Sequence, residues 1–147
     1  EGQQALTRRT AMKVFLDANI LFSAAKTDGA VRALLRLLLD RGHEAWVDAY
    51  VVAEARRNLV AKGPQAVEVF DALLAHLRLA AAAPGTEPAA QVAWLTEKDR
   101  PVLAAAIRLG CQALVTGDRT HFGAGYGRTF GGVVIHSPRT LAEWILA

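Results

Sequence analysis

Four acids stand where chemistry could use them. Asp17 ends the apolar stretch "KVFL", with Asn19 two positions later, and Asp118 closes "ALVTGD" behind Thr116 and Gly117. Asp99 opens "DRPVLAAAIRLG", and Glu54 lies within "YVVAEARRNLVAKG". Gathered in one cleft, each would raise its neighbours' pKa and resist ionisation, so a cation would have to offset the crowding. Oxygen ligands with no histidine or cysteine at metal-site spacing suit Mg2+ or Mn2+ rather than zinc. Such ions keep waters and complete their shell with substrate phosphate, which points to phosphodiester or phosphate-ester chemistry.

Each acid also has a plainer explanation. Asp99 follows Thr96 in T-x-x-D spacing before a helix and fits a cap. Glu54 stands three and four residues before Arg57 and Asn58, as on a solvated helix face. Asp17 and Asp118 fit turn starts. Asp48 reads as the cap of the "YVVAEARRNL" helix and as a reserve ligand, while Asp28, Asp40 and Asp71 read as turn or helix-face residues. The joint arrangement at strand ends and helix starts is what scattered solubility charges would not select.

The elements that must position these residues alternate. "KVFL", "EAWVDA", "ALVTGD" and "GGVVIHSP" read as strands, and "RLAAAAPGTEP" as a weak strand followed by a loop. "AVRALLRLLLDRG" places Val31, Leu34, Leu35 and Leu38 at helical spacing before Gly42, and "YVVAEARRNLVAKG" reads as a helix ending at Gly63. "QAVEVFDALLAHL" carries Val67, Phe70, Leu74 and Leu77 on one stripe; "KDRPVLAAAIRLG" has Pro101 in its first turn; "RTLAEWILA" follows a Ser137 cap. Strands separated by helices predict an α/β fold, a three-layer α/β/α sandwich around a central parallel sheet. In such sheets ligands bind outside the carboxyl ends of the strands, where strand order reverses. With the first strand central, that edge carries Asp17 and Asp118.

At 147 residues and 52% hydrophobic content the chain is the size of one domain with its own core. Residues 1–11 read as an N-terminal extension or added leader before Met12, and residues 12–147 as the single domain. The lone Cys111 has no intramolecular bridge partner, which fits a reducing compartment, and we expect a cytoplasmic protein. No apolar run reaches the roughly 18 to 20 residues of a membrane span, and no secretory segment opens the chain. The net charge of +3, from 17 basic and 14 acidic residues, favours a nucleic-acid partner only weakly. With four acids set against cations, the remaining 17 bases and 10 acids leave +7 around an acidic hole, a distribution that attracts phosphate chains. His43 and His136 read as structural, and Trp46, Trp94 and Trp144 as core or interface.

The stretches "FLDANIL" and "DRPVLAAAIRLGCQALVTGDRTHF", with Glu54 between them and a closing strand–helix pair, resemble a PIN domain over essentially all of residues 13–147. This family consists of metal-dependent ribonucleases that include many toxins of type II toxin–antitoxin pairs. The resemblance implies a PIN-like, Rossmann-like fold, an acidic quartet of Asp17, Glu54, Asp99 and Asp118, Asn19 orienting Asp17 or a water, and Thr116 supporting Asp118. It implies one or two Mg2+ or Mn2+ ions and in-line attack on RNA by metal-activated water, leaving 5′-phosphate and 3′-hydroxyl ends. Arg100, Arg119 and His121, beside proposed ligands, would touch phosphates; a solvated rim is their other reading. A homodimer and an antitoxin that enters the active-site groove are the implied partners. Two rivals stand beside this reading. One is a haloacid dehalogenase-like phosphatase with Asp17 as nucleophile, although Asn19 holds the place of its second acid. The other is a PIN-like module that binds RNA or protein without cutting.

Overall fold

The computed structural model describes residues 11–83 and 89–147. Most of the expected N-terminal extension, and the loop expected at 84–88, lie outside them. Six strands form one sheet in the order β3-β2-β1-β4-β6-β5, where β1 is Lys13–Leu16, β2 Glu44–Asp48, β3 Arg78–Ala80, β4 Ala113–Val115, β5 Thr129–Phe130 and β6 Val133–His136. All pairs are parallel except β5 with β6, so the sheet is parallel with a two-residue antiparallel edge that the alternation of strands and helices does not foretell.

β1 is central. It pairs with β2 on one side and β4 on the other, in a register that sets Leu16 against Val115. Val14, Phe15 and Leu16, and all of β4, are buried, as strands covered on both faces must be. Burying Phe15 alone is worth about 2 to 3 kcal/mol relative to exposure. The strands that end in Asp17 and Thr116 are therefore the most firmly anchored in the sheet.

Eight helices connect the strands among the described residues: α1 Ala18–Lys26, α2 Ala30–Asp40, α3 Ala49–Lys62, α4 Val67–Leu74, α5 Ala89–Val92, α6 Arg100–Arg108, α7 Arg119–Phe122 and α8 Pro138–Leu146. Leu34, Leu35 and Leu38 of α2 are buried as their spacing predicts. Asp48 is buried and caps α3, accepting from the Val51 N–H at 3.1 Å. Ser137 caps α8 in a reciprocal box with Thr140. The segment "QAVEVFDALLAHL" forms a shorter helix than its stripe suggests, because Pro64–Ala66 is a 3-10 turn and α4 ends at Leu74.

The tryptophans and His43 pack as the sequence suggests. Trp94 stacks on Phe130 at 4.8 Å and meets Phe122 edge-on, and the buried His43 ring lies 5.9 Å from that of Trp144. Cys111 is free and buried, and burial pushes its thiol up to about 11, which leaves it inert. Among the described residues no helix is long and apolar enough to cross a membrane.

Candidate active site

Strand order reverses between β1 and β4, because β2 and β3 build outward on one side before the chain crosses to the other. The carboxyl ends of β1 and β4 therefore open the crevice in which α/β folds bind ligands. The Asp17 N–H donates to the Val115 carbonyl at 3.1 Å, which continues the ladder one residue past the strand and sets Asp17 beside Thr116.

Asp17 serves two ends at once. Oδ1 accepts the Ala18 N–H at 2.7 Å and so caps α1, while Oδ2 accepts the Thr116 hydroxyl at 2.8 Å and the Asn19 amide at 3.1 Å. Asn19 reaches across the crevice: its Oδ1 accepts the Gly117 N–H at 2.7 Å, and its Nδ2 also lies 3.3 Å from Thr116 Oγ1. Thr116 in turn accepts the Asp118 N–H at 3.1 Å. A Cβ on Gly117 would stand 3.4 Å from Asn19 Oδ1, so the glycine leaves room for this approach. Asn19 and Thr116 thus form a neutral clamp between β1 and β4.

Only 5% of Asp17 is exposed. Burial pushes its carboxyl from 3.8 up to about 6, against the lowering effect of the Thr116 and Ala18 bonds, and the fields of Glu54 and Asp99 push the same way. Asp99 stands at the start of α6 without capping it, because its side chain turns to accept the Thr96 hydroxyl at 2.6 Å. The T-x-x-D spacing is therefore real, but the bond runs from threonine to aspartate and holds the carboxylate toward the crevice. Asp118 caps α7 through the His121 N–H at 3.1 Å. Partial burial would raise its carboxyl; the bonds from the His121 ring and backbone outweigh this and hold it below its ordinary value. His121 Nδ1 lies 2.7 Å from Asp118 Oδ2 and 3.6 Å from Asp99 Oδ2, and its ring is held above its ordinary value chiefly by the Asp118 bond.

Glu54 faces the same crevice rather than open solvent, with its side chain 23% exposed and Oε2 3.8 Å from Lys98 Nζ. Asn19, Ser23, Glu54, Gly117, Asp118 and Pro138 line a cleft of about 400 Å3. All four acids therefore act on one region: Asp17 feels Glu54 and Asp99, and ligand atoms of Asp99, Asp118 and His121 lie within 4.8 Å of one another. Arg119 and His121 are exposed at its rim. Arg100 is turned away from it, with Nε donating to the Leu95 carbonyl at 2.9 Å and Nη2 to that of Ala93 at 3.4 Å.

Three contributors carry no sequence signal. Lys98 balances Glu54, Tyr50 donates to the Lys98 carbonyl at 2.7 Å, and Tyr126 donates to the Thr116 carbonyl at 2.8 Å. Desolvation first, then the fields of Glu54, Asp99 and Asp17, raises the Tyr50 phenol and keeps it a donor. Only a spatial neighbour identifies these tyrosines, since neither stands near a proposed ligand at a diagnostic spacing.

The donor set fits a divalent cation. Carboxylate oxygens of Asp99 and Asp118 converge, Glu54 and Asp99 act on the ionisation of Asp17, and Asp17 and Asp99 are each oriented by a neutral hydroxyl donor that leaves lone pairs over.

Solved structures at 16–19% identity share the fold. VapBC2 of Rickettsia felis bound to a DNA fragment from its promoter superposes with a TM-score of 0.63 at 18% identity, covering 86% of this chain and 98% of that one. VapC20 of Mycobacterium tuberculosis, a toxin that cleaves the sarcin–ricin loop, gives 0.58 at 16% identity, with 80% and 98% covered. FitAB bound to a DNA fragment gives 0.58 at 19% identity, with 85% and 94% covered. No curated protein sequence matches this chain. A profile of the PIN domain matches residues 13–120, a span that includes Asp17, Asn19, Glu54, Asp99, Thr116 and Asp118, and the chain belongs to the PIN domain family.

Proposed function

We propose that this protein is a metal-dependent endoribonuclease, the toxin of a type II toxin–antitoxin pair, that holds one or two Mg2+ or Mn2+ ions on Asp17, Glu54, Asp99 and Asp118. The observation that carries the reading is Asp17, a nearly buried carboxylate pressed by two further acids at the switch point of a PIN-type sheet. A divalent cation bound there would neutralise charge on the attacked phosphate and lower the pKa of water.

The chain's own groups do the positioning. Thr116 and Asn19 fix the Asp17 carboxylate, Thr96 fixes Asp99, and the His121 backbone fixes Asp118, so little reorganisation remains when substrate arrives. Arg119 and Lys98, exposed beside the cleft, meet the phosphates of a single-stranded or structured RNA, with Nε2 of His121 available to a third contact. Arg100 supports the segment before α6 instead. In-line attack by water leaves 5′-phosphate and 3′-hydroxyl ends. The expected partners are an antitoxin chain and a second copy of this one, in keeping with the antitoxin complexes among the similar structures.

The phosphatase alternative lacks its second acid, because Asn19 holds that place and a carboxamide does not serve as a general acid. The test is cleavage of a single-stranded RNA in Mn2+ by wild type, Asp17→Asn and Asp118→Asn. We expect both variants to lose at least about 100-fold in rate while remaining folded. Equal cleavage by all three, or brisk hydrolysis of p-nitrophenyl phosphate without RNA cleavage, would overturn the proposal.

A further inference from the structure

We infer that His121 is itself a ligand of the divalent cation, its Nδ1 joining the carboxylates of Asp99 and Asp118 in one mixed nitrogen–oxygen set. This rests on the reading of those carboxylates as metal ligands, and it changes what the site selects. Three residues from Asp118 on the same short helix, His121 is anchored by its own N–H to Asp118 Oδ1. That anchor folds the imidazole back over the carboxylates, so that Nδ1 faces both Asp118 Oδ2 at 2.7 Å and Asp99 Oδ2 at 3.6 Å. Donors that share an ion at about 2.0 to 2.2 Å stand roughly 3 to 4.3 Å apart. One ligand atom from each of the three residues lies within 4.8 Å of the others, already close to that spacing, and the shortest contact, 2.7 Å, has only to open by about 0.3 Å.

The chemical consequence is selectivity. Mg2+ is hard and prefers oxygen, whereas imidazole binds later first-row ions increasingly well. An all-carboxylate site discriminates little between Mg2+ and Mn2+. With His121 in the shell, the order becomes Co2+ above Mn2+ above Mg2+. A phosphate contact through Nδ1 is incompatible with this geometry, since that atom points between two acids.

Pulsed electron paramagnetic resonance on the protein loaded with Mn2+ reads the ligand directly. We expect nitrogen-14 modulation from a directly bound imidazole, lost in His121→Ala. Calorimetry should show Mn2+ affinity lower by about tenfold or more in that variant, with Mg2+ affinity changed far less. Bound Mn2+ without nitrogen coupling would overturn the assignment of His121 and leave the carboxylate site standing. Failure of wild type to bind Mn2+ at all, with Asp118→Asn indistinguishable from it, would overturn both.

Discussion

Asp17→Asn should remove the pH dependence that the Asp17 carboxyl imposes on stability. In the metal-free protein burial holds the Asp17 carboxyl at about 6 against 3.8, so the folded state keeps its proton where the unfolded chain has released it. The stability this group contributes is fully present below 3.8 and is lost as pH rises through about 6. At 1.36 kcal/mol per tenfold, the loss is about 3 kcal/mol by pH 8. Asparagine retains the cap on α1 and carries no charge. It does turn an amide N–H2 toward the Asn19 amide or the Thr116 hydroxyl, a cost of about 1 to 2 kcal/mol that is the same at every pH. The variant should therefore be somewhat less stable than wild type near pH 4 and more stable near pH 8, with the difference between them moving by about 3 kcal/mol. Urea titrations in EDTA across that range measure it, and in thermal melts it corresponds to a relative shift of about 6 to 12 °C. Groups that titrate alike in both proteins cancel in the difference. Mn2+ should then raise the wild type's stability more than the variant's. A difference flat from about pH 4 to 8 would show that Asp17 ionises as an exposed acid does, and the case for a cation-dependent cleft would fail.

Thr116→Val keeps the shape of a fully buried side chain while removing the atom that links Asp17, Asn19 and Asp118; we expect a loss of about 2 to 3 kcal/mol in urea titration and a fall in kcat larger than any change in KM. Gly125→Ala would bring a Cβ to 2.5 Å from the Trp94 ring, which is wedged against Phe122 and Phe130, so thermal unfolding should show about 1 to 3 kcal/mol of destabilisation. Arg119→Ala should raise KM for RNA and flatten its salt dependence, whereas Arg100→Ala should lower stability with little effect on KM; kinetics at two salt concentrations separate them.

The parts of the fold that the sequence announces are those in which one physical signal dominates. β1 and β4 are short apolar runs ending in an acid, and α2, α3 and α6 have clear spacing with a glycine or proline at an end. α1 is hidden because its cap is Asp17, the residue that chemistry also claims, and "NILFSAAK" offers no break between strand and helix. α7, with four residues, and β5, with two, are too short for any period. Asp99 shows the limit most plainly. T-x-x-D before a helix is compatible with a cap or with a ligand, and the choice depends on where the side chain turns, which the crevice decides. Arg100 and Arg119 each follow a proposed ligand, yet one guanidinium is held by the carbonyls of Ala93 and Leu95 while the other is exposed.

How the site is divided between local and long-range contacts bears on what a metal does to this protein. Each aspartate is oriented by a neighbour within three residues: Asp17 by Ala18, Asp99 by Thr96, Asp118 by His121. Their assembly depends on contacts that span nearly a hundred residues, between Asn19 and Gly117 and between Thr116 and Asp17, and these are made by neutral groups and one carboxylate. Neutral donors lose little when a cation leaves, so the crevice stays formed without one while Lys98 and His121 offset only part of the charge within it. Metal binding then relieves repulsion instead of ordering the chain. It should therefore raise the unfolding temperature in proportion to the logarithm of ion concentration, well above the dissociation constant, while leaving the far-ultraviolet circular dichroism of the folded state unchanged.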